Sequence, residues 1–172
     1  MSYPESTIRD LMAGRLPWPQ VHQMMSGYKD ADRFTTFRAV LQARVPWSES
    51  IVLPLTTRLY VVDLGDRGAV KCECGHELCD WREHWKLHAR VLVRDTPELL
   101  AEVFPQLACD PEWMEVREFV CPGCGSLLEV EPAVPGYPVT RDFEPDLAAF
   151  YRDWLDEEPP AWAVAGAPGA DG

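Results

Sequence analysis

The amino-acid sequence predicts an α+β fold with short N-terminal helices, a central antiparallel β region that carries a four-cysteine site, and a C-terminal helix with a flexible tail. Three observations support this prediction. Apolar residues within residues 5–45 recur three and four positions apart, which is typical of amphipathic helices. From residue 47 onwards the apolar runs become short, β-branched and bounded by turn residues. Two Cys-Gly pairs then follow, at positions 74–75 and 124–125.

The length of 172 residues predicts about one domain with a small appendage. Hydrophobic residues make up 47% of the chain, so it can bury a core and is expected to fold. Sixteen prolines predict short elements and much ordered loop. We expect an N-terminal helical region over 1–46, a β-rich core over 47–135, a C-terminal helix segment over 136–158 and a disordered tail over 159–172.

The N-terminal helices are predicted from apolar residues at helical spacing. They are Ile8, Leu11, Met12, Phe34, Phe37, Val40 and Leu41. Ser6 or Thr7 is expected to cap the first helix, and Asp30 or Asp32 the last. Prolines separate the first helix from a short one expected around residues 21–25.

The β region begins with three short runs predicted as strands, over residues 51–53, 59–62 and 69–72. A Gly-Asp-Arg-Gly turn at 65–68 predicts that the last two form a hairpin. Residues 87–93 alternate between apolar and polar side chains, which predicts a half-buried strand that contains His88.

The second half of the chain contains one more short helix and two more strands before the C-terminal helix. Thr96 followed by proline predicts a capped helix over 97–104. Strands are predicted over 116–120 and 127–130, on either side of a cysteine turn. Apolar residues at helical spacing predict the last helix over 145–155.

The charge of the chain excludes two classes of partner. With 16 basic and 28 acidic residues the formal net charge is −12. Nucleic-acid binding and adsorption to anionic membranes both depend on Lys and Arg, so neither partner is expected. The sequence shows no signal-peptide pattern and no run of 18 apolar residues. It therefore predicts a soluble, cytoplasmic protein.

Five of the six cysteines lie in two short segments. Cys121 and Cys124 flank a Pro-Gly pair and have the spacing of a zinc knuckle. Cys74 is followed by glycine in the same way, but its partner is open, because either Cys72 or Cys79 can complete a set of four. The interpretation slightly favours Cys72, with Cys79 as a neighbouring thiol or the fourth ligand.

These cysteines are interpreted as ligands of a structural zinc ion in a zinc-ribbon-like site. Thiols in the cytosol stay reduced, which disfavours disulfides. Four thiolates would fill a tetrahedral zinc ion and leave no position for water or substrate. Iron is the minority alternative. Cys109 has no nearby partner and is expected to act as a small apolar residue.

The other candidate functional residues are histidines. His76 lies beside the cysteines and is expected either to donate a hydrogen bond near the site or to be solvated. His84 and His88 are expected to have ordinary surface roles. No paired carboxylates, Ser-His-Asp order, nucleotide-binding glycine loop or H-E-x-x-H motif occurs. The sequence therefore predicts no complete active site on this chain.

The segment C-E-C-G-H-E-L-C-D-W-R-E-H-W-K-L-H-A-R-V-L-V-R-D-T-P at 72–97 resembles the small gamma subunit of acetone carboxylase and related ATP-dependent ketone carboxylases. The C-P-G-C-G knuckle, the G-Y-P-V segment and the F-Y-R-D-W-L helix resemble the same family. The resemblance covers about residues 2–156.

This resemblance implies a zinc-containing, noncatalytic subunit that assembles with large alpha and beta subunits into a heterohexamer with two copies of each. The large subunits would carry Mn²⁺ and ATP and join a ketone to bicarbonate, giving a 3-oxo acid. The aromatic residues expected at subunit contacts are Trp81, Trp85, Tyr151 and Trp154, with burial in the chain's own core as the alternative for each. The alternative is a stand-alone zinc-ribbon module that binds proteins or regulates.

Overall fold

A computed structural model describes residues 2–28, 30–141 and 143–164. Three helices begin the chain: α1 (Glu5–Met12), α2 (Trp18–Ser26) and α3 (Arg33–Gln42). Within the described residues, every helix is too short or too polar to cross a bilayer.

The predicted N-terminal helices are present, but their predicted side-chain caps are wrong. Helix α1 begins after Pro4, and neither Ser6 nor Thr7 precedes it. Asp32 precedes α3, but its φ and ψ of −91° and 2° lie outside the extended region that a capping residue adopts. The Asp32 carboxylate instead accepts a hydrogen bond from the Ser2 hydroxyl.

The first sheet is antiparallel, with strands in the order β1-β2-β3-β4. The strands are β1 (Ser50–Pro54), β2 (Leu59–Asp63), β3 (Gly68–Cys72) and β4 (Glu77–Asp80). The predicted hairpin is confirmed, since β2 and β3 pair across their shared turn. Strand β4 was not predicted, because its sequence Glu-Leu-Cys-Asp is short and charged at both ends.

The two faces of this sheet carry different layers. On one face Tyr60 and Val62 pack with Ile51 and with Leu41 of α3. On the other face Val61 lies in a cluster with C-terminal residues. The sheet is therefore covered by the N-terminal helices on one side and by the C-terminal segment on the other.

The second sheet is also antiparallel, in the order β5-β6-β7. Its strands are β5 (Arg90–Arg94), β6 (Glu115–Val120) and β7 (Leu127–Ala133), and helix α4 (Pro97–Val103) lies between β5 and β6 in the chain. The predicted cap of α4 is confirmed, because the hydroxyl of Thr96 accepts a hydrogen bond from the N–H of Leu99.

The strand predicted over 87–93 is partly wrong. His88 belongs to a 3₁₀ turn, Trp85–His88, and the strand begins only at Arg90. Val91 and Leu92 are 50% and 45% exposed, so the alternation does not mark one buried and one solvated face. Within this turn Lys86 is buried, and its ammonium pairs with the carboxylates of Glu129 and Glu131 of β7 at 2.7 and 2.9 Å.

The C-terminal segment is helical but irregular. Asp146 caps α5 (Leu147–Ala149), and the chain continues as a π-helical segment, Phe150–Leu155. That segment ends at Asp156, whose φ of 55° is left-handed. The predicted helix over 145–155 is therefore present in position, but its second half has the wider π geometry.

The prediction of a disordered tail over 159–172 is wrong for the residues up to 164, which end in a short helix. Helix α6 (Ala161–Val164) buries Trp162, which packs against Trp81 and donates from Nε1 to the carboxylate of Asp63 at 2.8 Å. Gly68 makes room for it, because a Cβ there would lie 2.5 Å from the Trp162 ring. Residues 165–172 lie outside the described residues.

Replacing Trp162 tests whether α6 belongs to the core. We expect Trp162→Ala to lower the free energy of unfolding by about 3 kcal/mol, because it removes a large, 6% exposed side chain. Urea unfolding followed by circular dichroism measures this. The matched control is Trp18→Ala, a 67% exposed residue, for which the change should stay within about 0.5 kcal/mol. Equal stability of the two variants would contradict the docked position of α6.

Candidate metal centre

The first cysteine loop joins β3 to β4. Cys72 is the last residue of β3, and Cys74 lies in the turn that follows. The N–H of Gly75 donates to the Cys72 carbonyl, and the N–H of Cys72 donates to the His76 carbonyl, both at 2.8 Å. Gly75 has a φ of 98°, a conformation that favours glycine. This turn brings Cys72 and Cys74 to the same end of the hairpin.

The second cysteine loop joins β6 to β7 and repeats this construction. The N–H of Gly125 donates to the Cys121 carbonyl at 2.8 Å, and the N–H of Cys121 donates to the Ser126 carbonyl at 2.9 Å. Gly125 has a φ of 72°. Each sheet thus ends in a tight loop that presents two thiols.

The two loops bring four sulfurs together. The Sγ atoms of Cys72 and Cys124 are 3.9 Å apart, as are those of Cys74 and Cys121, and all four lie within 4.8 Å of one another. Four thiolates about 2.3 Å from a tetrahedral zinc ion would be about 3.8 Å apart. A disulfide needs about 2.0 Å between its sulfurs. The spacing therefore fits a four-coordinate metal.

The cluster is half inside the protein. Cys72 and Cys121 are fully buried and pack with apolar residues of both sheets, whereas Cys74 and Cys124 are exposed. A metal held by all four would join β3 to β6 at the surface of the apolar cluster.

The ionisation of the thiols differs across the cluster. Burial raises the pKa of Cys72 above its usual range, so that thiol would release its proton on binding a metal. The hydrogen bond between the Cys124 sulfur and the Ser126 hydroxyl, together with one from the Ser126 backbone N–H, lowers the pKa of Cys124 to about 6. Cys124 therefore supplies a thiolate near neutral pH.

Cys79 lies outside this group of four. It is buried in β4 opposite Val70, and burial, with Glu83 and Asp80 nearby, raises its pKa to about 12. It is therefore a neutral, packed thiol at neutral pH. Cys109 also lies apart, partly exposed, with its thiol 3.5 Å from the Met114 carbonyl.

The histidines are not part of the four-sulfur cluster in the described structure. His76 contributes its backbone carbonyl, and its side chain packs so closely on Gly123 that a Cβ there would lie 2.7 Å from it. His88 is exposed and pairs through Nε2 with Glu83 at 2.7 Å, which agrees with a surface role. His84 is only partly exposed and lines a small cavity beside Trp85.

Two residues near the loops were not identified from the sequence. Arg58 donates both to the Glu73 carboxylate at 2.5 Å and to the Ser126 hydroxyl at 3.3 Å, so it connects the two cysteine loops. Trp47 donates from Nε1 to the Glu73 carbonyl at 3.1 Å. Their roles were not apparent from the sequence, because both act through contacts with residues distant in the chain.

The four aromatic residues expected at subunit contacts have different exposures. Tyr151 is buried and donates to the Val52 carbonyl at 2.9 Å, so it follows the alternative of burial in the chain's own core. Trp81 and Trp85 are partly buried in the protein's own hydrophobic clusters. Trp154 is 81% exposed and remains available for a contact.

The family profile described as acetone carboxylase gamma subunit matches residues 45–155, which include both sheets and all four clustered cysteines. The acetone carboxylase gamma subunit of Xanthobacter autotrophicus is 47% identical over 158 residues, covering 90% of this chain and 94% of that protein. The chain belongs to the acetone carboxylase gamma subunit family.

A second relative extends the family to a different carboxylase. The acetophenone carboxylase beta subunit of Aromatoleum aromaticum is 35% identical over 89 residues, covering 50% of this chain and 69% of that protein. The resemblance to the acetone carboxylase gamma subunit predicted from the sequence is therefore confirmed. Membership of a gamma-subunit family implies other carboxylase subunits as partners.

Cysteine substitutions test the cluster. We expect Cys121→Ser to lose bound metal and to lower the melting temperature, because it removes a buried sulfur of the four. The matched control is Cys79→Ser, which leaves all four sulfurs in place and should keep one metal per chain. Elemental analysis and thermal unfolding measure both effects. Full metal retention by Cys121→Ser would contradict the four-sulfur site.

Proposed function

We propose that the chain is the noncatalytic, zinc-binding gamma subunit of an acetone-carboxylase-like complex. That complex would use ATP to join a ketone to bicarbonate and form a 3-oxo acid, as in the conversion of acetone to acetoacetate. The observation that carries the proposal is the set of four sulfurs at tetrahedral spacing inside the region that the gamma-subunit family matches.

The proposed zinc ligands are Cys72, Cys74, Cys121 and Cys124. Thiolate sulfur is a preferred ligand of zinc, and four of them complete its coordination. A complete thiolate shell leaves no position for a substrate or an activated water, which supports a structural role. Because two ligands come from each sheet, the ion would hold the sheets together and contribute directly to folding.

The chemistry of the complex is assigned to its other subunits. The four-sulfur group is the only cluster of potential metal ligands found among the described residues. As the resemblance to the family implies, Mn²⁺ and ATP are proposed to bind to the large alpha and beta subunits, in a heterohexamer with two copies of each chain. All six cysteines lie among the described residues and none of them forms a disulfide, which suits a reducing compartment and favours the cytoplasm.

The alternative is a stand-alone zinc-ribbon module that binds or regulates another protein. The near-complete overlap with the Xanthobacter gamma subunit favours the complex. Binding of nucleic acid is disfavoured by the net charge of −12.

Co-expression with large subunits tests this proposal. We expect the chain to co-purify in equal numbers with alpha and beta subunits, and acetone carboxylation to fall at least tenfold when it is omitted. Cys121→Ser should reduce its incorporation, because the proposed zinc site stabilises the chain, whereas Cys79→Ser should assemble normally. Mass spectrometry of the complex and an acetoacetate assay give both readouts. A chain that stays separate from large subunits that are fully active without it would contradict the proposal and favour the stand-alone module.

A further inference from the structure

Arg58 lies directly before β2, next to the first cysteine loop. Its backbone N–H donates to the Thr56 hydroxyl at 3.2 Å, and its carbonyl accepts from the N–H of Glu73 at 2.9 Å. Glu73 is the residue that separates Cys72 from Cys74. The backbone of Arg58 is therefore attached to the middle of the first cysteine loop.

The guanidinium of Arg58 extends this attachment to the second cysteine loop. Its Nη1 donates to the Glu73 carboxylate at 2.5 Å and to the Ser126 hydroxyl at 3.3 Å. The Ser126 hydroxyl lies in turn 3.3 Å from Sγ of Cys124. A thiolate can only accept a hydrogen bond, so in the metal-bound site Ser126 donates to Cys124 and accepts from Arg58. A chain of hydrogen bonds thus runs from a positive charge to a metal ligand.

The proposed metal site carries a charge that this chain of hydrogen bonds offsets. Four thiolates around a divalent ion leave a net negative charge, and the Glu73 carboxylate lies beside them. The Arg58 side chain, which is 48% exposed, brings a positive charge to both loops. Hydrogen bonds that involve an ionised group are stronger than neutral ones, and bonds joined in a chain polarise one another. Arg58 is therefore placed to stabilise the thiolate form of the site.

Release of the metal ion requires the two loops to separate. The sulfurs of Cys72 and Cys121 are held by packing in the apolar cluster between the sheets. Cys74 and Cys124 are exposed, so their sulfurs are the ones that can move into solvent first. Arg58 connects the two loops next to these exposed ligands. Its hydrogen bonds would have to break before the exposed sulfurs can separate.

We infer that Arg58 is a positioning residue that slows release of the metal ion, by holding the two cysteine loops together and offsetting the charge of the thiolates. The inference rests on the zinc site of the proposed function, and it does not depend on assembly with large subunits. Replacing a residue that supports metal ligands typically lowers metal affinity about 10–100-fold. Because Arg58 is half exposed and its charge is screened by solvent, we expect an effect at the lower end of this range.

Transfer of zinc from the full-length chain to an excess of a chelating dye measures the release rate. We expect Arg58→Gln, which removes the charge, to release zinc about tenfold faster than the wild type. Arg58→Lys restores a charged donor and should stay within about threefold of the wild type. The matched control is Arg67→Gln, which removes a 44% exposed arginine that pairs with Glu77 of β4. This control should stay within about twofold of the wild type.

Two further variants distinguish positioning of the loops from a general loss of stability. Trp162→Ala weakens a different hydrophobic cluster and should release zinc within about threefold of the wild type. Release from Trp162→Ala as fast as from Arg58→Gln would show that zinc leaves through global unfolding, and would overturn the inference. Ser126→Ala removes the middle of the hydrogen-bond chain. The double variant with Arg58→Gln should therefore release zinc more slowly than the product of the two single effects predicts.

The visible spectrum of the Co²⁺-substituted chain shows whether the ligand set is intact. The wild type and Arg58→Gln should both give the intense bands of a tetrahedral thiolate site, so that only the release rate differs. Loss of these bands from Arg58→Gln would overturn the inference, because a thiolate would then have left the site. A wild-type chain that binds neither zinc nor cobalt stoichiometrically would contradict the proposed zinc site itself. Stoichiometric binding with equal release from the wild type and Arg58→Gln would overturn only the role of Arg58.

Discussion

The junction of four sulfurs is the constraint on which the arrangement of the two sheets depends. Each sheet ends in a tight loop with two thiols, and the loops meet at 3.9 Å sulfur–sulfur distances. Structural zinc sites contribute about 10–16 kcal/mol of apparent binding free energy. The net stability of a whole domain is about 5–15 kcal/mol. The binding free energy of the proposed ion would therefore be comparable to the net stability of a whole domain.

Contacts within the protein, around the four sulfurs, hold the two cysteine loops in fixed positions relative to each other. Cys72 and Cys121 share one apolar cluster with Leu59, Val70 and Leu128, so packing places the inner two sulfurs. Arg58 reaches both loops at their outer side. Packing inside and hydrogen bonds outside thus limit how far the thiols can separate. Such preorganisation favours one metal geometry over others.

The sequence predicted the features that depend on neighbouring residues. The β2-β3 hairpin and the Thr96 cap follow from turn and capping residues a few positions apart, and both are confirmed. The position of Cys79 could not be predicted in this way. Cys79 lies outside the sulfur cluster because β4 pairs with β3, which places Cys79 opposite Val70. The short β4 sequence, charged at both ends, does not predict a strand.

The position of Trp162 could not be predicted from the sequence either, because its contacts are even more distant along the chain. Its surroundings in sequence are rich in Ala, Gly and Pro and predict a loose tail. Its partners are Trp81 and Asp63, about eighty to a hundred residues away in the chain. Gly68 leaves the space that the ring fills, but an isolated glycine after a turn is as easily explained by the hairpin. Only tertiary packing distinguishes the two explanations.

The same long-range contacts hold the C-terminal segment against the rest of the protein. Tyr151 donates to the Val52 carbonyl at 2.9 Å and accepts from Arg38 of α3 at 2.7 Å. The sheet, α3 and the π-helical segment are therefore linked through one buried hydroxyl. Phe34 of α3 and Phe150 are also in edge-to-face contact, with ring centroids 4.9 Å apart, so neither element can move without breaking a packed pair.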